Sequence, residues 1–161
     1  MKFTKKIVLL LVVLALALSV AFGMVACKQE EPAPSTINVE STGDSVVVGY
    51  SVDGAIVFTY SKAVLADATG KHVKDYFDAL VTKGLLTYDA PGGFVSTIFG
   101  KGVDSSKNEF WAFYTTDTEN SSDDYGDPIE IDGKTYHSAS YGIVDMPLKA
   151  GESYAFKVAT W

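Results

Sequence analysis

Val73-Lys74-Asp75-Tyr76-Phe77-Asp78-Ala79-Leu80-Val81-Thr82-Lys83-Gly84 is the stretch on which the fold class turns. Val73, Tyr76, Phe77, Leu80 and Val81 fall at i, i+3, i+4, i+7 and i+8, with Lys74, Asp75 and Asp78 opposite. This spacing gathers the apolar side chains on one stripe and predicts an amphipathic helix from about His72 to Lys83. Gly84 stands just past the last periodic residue, where a left-handed conformation ends many helices. It is the one segment after residue 36 with helical period, and a single such stripe covers one face of a sheet.

On either side of it, β-branched and aromatic residues cluster in short runs bounded by glycine, aspartate and serine, as in strands joined by turns. Upstream, strands are expected at residues 37–40, 45–51 and 55–66. Asp53-Gly54 between the last two suits a tight hairpin turn, so they should be antiparallel neighbours. Downstream come a run at 85–88, a Pro91-Gly92-Gly93 turn, a run at 94–99 and a loop at 100–108. The run at 109–116 is the most apolar of the exported part. Phe110, Ala112 and Tyr114 alternate in it with Trp111 and Phe113, so both faces need cover and a central strand follows. A hairpin through Ile129 to Tyr136, a short strand near 141–144 and a closing strand at 154–160 complete the pattern. One helix laid over a mixed sheet is an α+β architecture.

The N-terminus is of another kind. Lys2, Lys5 and Lys6 form a basic start, and residues 7–22 carry no charge and only Ser19 as a polar interruption. This is the pattern of an export signal. A membrane-spanning helix needs about 20 apolar residues, which the run also approaches. The position of the only cysteine separates the two readings. Met24-Val25-Ala26-Cys27 resembles the lipobox of bacterial lipoproteins, with Met24 in place of leucine. That resemblance implies cleavage before Cys27 and lipidation of its thiol, and two acyl chains suffice for stable anchoring. Residues 1–26 are then signal peptide, 27–36 the lipidated cysteine and an extended tether containing Glu30, Glu31, Pro32 and Pro34, and 37–161 the domain. The expected location is the cell membrane, lipid-anchored and facing outside the cytoplasm.

Composition excludes several functions. The 161 residues hold 13 basic residues, all lysine, against 20 acids, for a net charge of −7. Loss of residues 1–26 removes three lysines and no acid, leaving ten lysines against 20 acids. An acidic chain without arginine is poorly suited to nucleic acid or to an anionic small ligand. Two histidines and one cysteine allow neither a multi-cysteine zinc site nor an intrachain disulfide. There is no Gly-x-Ser-x-Gly elbow, phosphate loop or His-Glu-x-x-His, so no enzyme activity is expected.

Three further segments resemble a known family: Gly92-Gly93-Phe94-Val95-Ser96-Thr97-Ile98-Phe99-Gly100, Phe110-Trp111-Ala112-Phe113-Tyr114, and Tyr141-Gly142 followed by Lys149-Ala150-Gly151-Glu152-Ser153-Tyr154-Ala155-Phe156. Their order is similar to the transcobalamin C-terminal-like domain of bacterial lipoproteins, a group of unknown function, over roughly residues 54–161. The resemblance implies a β-grasp-like fold in which a sheet wraps one helix. It also implies kinship with the domain that closes over cobalamin in animal carriers. Those carriers need a second, helical domain for which this chain has no residues, so cobalamin binding does not transfer. Residues 115–140 also depart from the compact hairpin of the transcobalamin pattern.

The candidate ligand-binding residues are Trp111, Phe113, Tyr114, Phe94 and Tyr141, with Phe99 as a sixth ring, since flat rings hold apolar or ring-shaped ligands by burial and dispersion. Many of these rings are also what a core of this size requires. Trp111 stands out because its indole N–H needs a partner. Asp117, Glu119, Asp123, Asp124, Asp127, Glu130 and Asp132 supply oxygen ligands for calcium, but their spacing fits no EF-hand loop and reads better as a solvated loop. His72 and His137 read as surface or capping residues. Two functions follow as expectations. One is a non-catalytic domain that captures a small molecule, with a corrinoid as the candidate ligand and a membrane transporter as recipient. The other is a cell-surface protein-interaction module with no small ligand.

Overall fold

The computed structural model describes residues 35–161; the signal segment, Cys27 and the tether as far as Pro34 lie outside the described residues. β1 (Thr36–Ser41), β2 (Asp44–Val52) and β3 (Ala55–Thr59) form an antiparallel meander. The β2–β3 turn places Asp53 at φ 50° and Gly54 at φ 75°, the positive angles expected of this dipeptide in a two-residue hairpin. β1 opens one residue earlier than the domain boundary read from composition, and Thr36 pairs with Tyr50.

Helix α1 (Val73–Thr82) buries Val73, Tyr76, Phe77 and Leu80, four of the five residues of the apolar stripe. Gly84 adopts φ 70°, and the bonds Gly84 N–H to Val81 C=O and Leu85 N–H to Leu80 C=O close the helix in a Schellman motif. A small sheet follows, of β4 (Tyr88–Asp89), β5 (Thr97–Ile98) and β6 (Lys101–Gly102). The main sheet is completed by β7 (Glu109–Thr115), β8 (Ile129–Ile131), β9 (Lys134–Ser138) and β10 (Ser153–Thr160), in the order β1-β2-β3-β10-β7-β9-β8.

Strand alternation splits the interior in two. Ile56 and Phe58 of β3, Trp111 of β7 and Tyr154 and Phe156 of β10 face α1 and join its residues in the larger core. Phe58 lies 4.6 Å from Phe77, ring centre to ring centre, and Phe156 5.6 Å. Ala55, Val57 and Ala155 face the other way, where Ile131 and Tyr136 of the β8–β9 hairpin cover them. The sheet thus curls so that its last hairpin lies over its own second face. Burying each large ring is worth about 1.5–3 kcal/mol.

Several expectations are corrected. Every strand pairing among the described residues is antiparallel, so the sheet is not mixed: tight turns join β1 to β2, β2 to β3 and β8 to β9, and β10 runs against both neighbours. The strand expected at 55–66 ends at Thr59, because Val64 and Leu65 both donate to the Ser61 carbonyl and turn the chain. The runs at 85–88 and 94–99 leave only two-residue strands. Residues 141–144 form a turn, not a strand. The adjoining carbonyls of Ile143 and Met146 accept from Lys74 and Val73, at 2.9 Å each, and so satisfy N–H groups that a helix start leaves without intrahelical partners. β7 is flanked by β10 along its length and by β9 only at its C-terminal end.

Candidate functional site

A cleft of about 390 Å³ opens beside β7, within the size range of small-molecule sites. Five consecutive residues of β7, Phe110 to Tyr114, line it. Alternate residues of a strand point to opposite faces, so five in succession share one cleft only if it runs along the strand's edge. The opposite wall is Ser138 to Ile143, and Gly93, Phe94 and Val95 close one side.

That closure depends on two glycines. A Cβ on Gly142 would stand 2.8 Å from the Gly93 carbonyl oxygen, and the Ile143 N–H donates to that same oxygen at 3.1 Å. The close approach brings the chain just after Tyr141 against the chain just before Phe94. Both rings stay open to solvent, Phe94 at 77% and Tyr141 at 50% exposure. Tyr125, at 71%, is the third exposed ring. It sits in the 3-10 turn Asp123–Tyr125, which is pinned to β9 by His137 Nδ1 at 2.7 Å from an Asp123 carboxylate oxygen.

The five candidate residues Phe94, Trp111, Phe113, Tyr114 and Tyr141 all line this cleft. They differ in what else they do. Trp111 is only 7% exposed, and its indole N–H donates to the Lys101 carbonyl of β6 at 3.3 Å. The partner expected from a ligand is therefore supplied by the fold. Phe113 stacks on Phe156 with ring centres 4.6 Å apart and planes within 5°. Tyr114 lies on the second face against the β8–β9 core, and burial pushes its phenol above the ordinary value. Phe99 is elsewhere, in a shallower hollow with Ile37 and Leu85. Sequence reading missed Tyr125, whose only signal was an aromatic ring in a polar loop, and the backbone of residues 138–143.

Among the described residues, no lysine, aspartate, glutamate or histidine lines the cleft. An ionic ligand would lose its hydration there without a countercharge, so the cleft suits an uncharged one. Its polar groups are hydroxyls and main-chain amides, which orient a ligand by hydrogen bonding.

The carboxylates of the acidic segment are engaged locally rather than gathered at one point. Asp117 is buried and accepts from Lys149 Nζ at 2.9 Å and Asn120 Nδ2 at 2.7 Å, while Glu119 accepts from the same lysine at 2.7 Å. Burial pulls the Asp117 carboxyl upward, but the hydrogen bonds from Lys149 and Asn120 outweigh it and hold it below the usual carboxylate range. Glu130 pairs with Thr135. Among the described residues no three of His, Cys, Asp or Glu converge as a metal site would need. His72 stands at the N-terminus of α1, where its backbone N–H donates to Asp75 at 2.8 Å.

No helix among the described residues is long and apolar enough to cross a membrane. Comparison with protein-family models, curated proteins and solved structures yields no match for this chain.

Proposed function

We propose that this chain is an exported lipoprotein, anchored to the cell membrane through Cys27, whose domain is a non-catalytic receptor for an uncharged small molecule with a flat apolar face. The observation that carries this reading is the convergence of Phe94, Trp111, Phe113, Tyr114 and Tyr141 on one concave, charge-free cleft. A protein-interaction module would be better served by a flat or convex patch. Among the described residues the lining holds no carboxylate, imidazole or amine, the bases that a catalytic serine such as Ser138 or Ser140 would need beside it.

The fold is read as β-grasp-like in the loose sense of a sheet curled about one helix, and a corrinoid is the first ligand to try on the strength of the transcobalamin-like segments. At about 390 Å³ the cleft would hold one edge of so large a molecule. The ligand would pass to a membrane transporter, with the lipid keeping the acidic domain close to the bilayer but not pressed against it. A fluorescence titration of residues 28–161 with a panel of corrinoids tests the reading. The Trp161→Phe form leaves Trp111, in the cleft floor, as the sole tryptophan. Saturable quenching is expected, and no change up to about millimolar ligand, the weak end of useful affinity, would exclude corrinoids.

A further inference from the structure

The cleft has a polar edge that the rings leave unexplained. Thr116 N–H donates to the Ser153 carbonyl and Trp161 N–H to the Asn108 carbonyl, in register with Phe113 opposite Phe156. By the alternation of an antiparallel ladder, Phe110, Ala112 and Tyr114 therefore turn their main-chain groups toward β10, and Trp111, Phe113 and Thr115 turn theirs away. On that far side β9 pairs only as far as Tyr114 with Ser138. Ala139 N–H then reaches the Phe113 carbonyl at 2.9 Å, and the chain leaves: the next donor, Ser140 N–H, bonds Asn120.

The Trp111 N–H, the Trp111 C=O and the Phe113 N–H thus open onto the cleft with no partner among the described residues, although Trp111 is itself buried. Unpaired main-chain groups at a buried position are rare and call for a partner. The two outer strands of the main sheet are blunted in familiar ways. β1 carries a register shift between Ile37 and Asn38, and β8 has three residues and follows Pro128. The open stretch of β7, Phe110 to Phe113, has no charge, proline or bulge to discourage pairing.

Resting on the small-ligand reading above, we propose that this edge selects a ligand carrying a planar amide edge, an N–H beside a C=O as in a lactam, on its flat apolar body. In an extended strand the C=O of one residue and the N–H two residues on stand side by side on the same edge. Here they are the Trp111 C=O, which accepts the ligand N–H, and the Phe113 N–H, which donates to the ligand C=O. Such a body continues the plane of the sheet, where side chains from both faces of β7 line the cleft.

The probes are isoquinolinone, a flat lactam, and its N-methyl derivative, which keeps the rings and loses the N–H. Each is titrated into ¹⁵N-labelled residues 28–161, which contain every element and both cores described above. The lactam is expected to move the Phe113 amide resonance downfield, to leave the Phe110, Ala112 and Tyr114 amides nearly unmoved, and to bind at least tenfold more tightly than the derivative. Equal binding of the two with an unmoved Phe113 amide would overturn the edge proposal while leaving a small-molecule cleft in place. Failure of both to bind by about millimolar would overturn this proposal, and the cleft reading falls with it only where the corrinoid panel fails to bind as well. A capped extended tripeptide binding tenfold more tightly than the lactam would overturn it in favour of strand addition.

Discussion

Phe94 and Phe113 border the same cleft and are held there for different reasons. Phe94 is 77% exposed, so Phe94→Ala should change unfolding free energy by no more than about 0.5 kcal/mol in a denaturant titration. Phe113 stacks on Phe156 inside the larger core, and Phe113→Ala should cost about 2–4 kcal/mol in the same measurement. Asp117 makes a second residue-scale prediction. Its folded carboxyl lies below the roughly 3.9 of an unfolded aspartate, so the bonds from Lys149 and Asn120 stabilise the fold above about pH 4. They fade as pH falls through the folded value. Asp117→Asn should lose about 1–2 kcal/mol at pH 7, with the two stability curves converging at acid pH. The candidate rings were legible because large side chains in an alternating apolar run are conspicuous. Tyr125 was not, since its place in the cleft depends on the His137–Asp123 contact across 14 residues.

Among the elements, those with local causes were legible. The period of α1, the glycine after it and the Asp53-Gly54 turn each specify their backbone through nearest neighbours. Residues 141–144 look like a strand by composition, but their role is set by α1 some 70 residues earlier, whose first N–H groups take the Ile143 and Met146 carbonyls. The antiparallel course of β10 between β3 and β7 is another long-range outcome with no local signal. The wall made by Gly93 and Gly142 yields a prediction at this scale. Gly142→Ala forces a methyl against the Gly93 carbonyl, so it should cost about 1–3 kcal/mol and speed hydrogen exchange of the Ile143 amide. Unchanged exchange there would mean that the two segments do not depend on each other.

At the scale of the whole molecule, the proposed receptor, held by lipid and kept off the anionic surface by its own charge, draws on a signal-like N-terminus, one cysteine and a domain with twice as many acids as lysines. Mass spectrometry of the membrane-bound form should find a chain beginning at Cys27 with a diacylglyceryl group; an intact residue 1–26 segment or an unmodified thiol would contradict the anchor. The cleft itself is tested most directly by titrating the corrinoid panel and the lactam probe into residues 28–161 and, in parallel, into the Phe94→Ala and Tyr141→Ala forms. These substitutions remove exposed rings of the rim and should leave the fold intact. Saturable binding that weakens at least tenfold in both variants is the predicted result. Absence of binding by every probe up to about millimolar, or binding indifferent to both rings, would contradict a small-ligand site in this cleft.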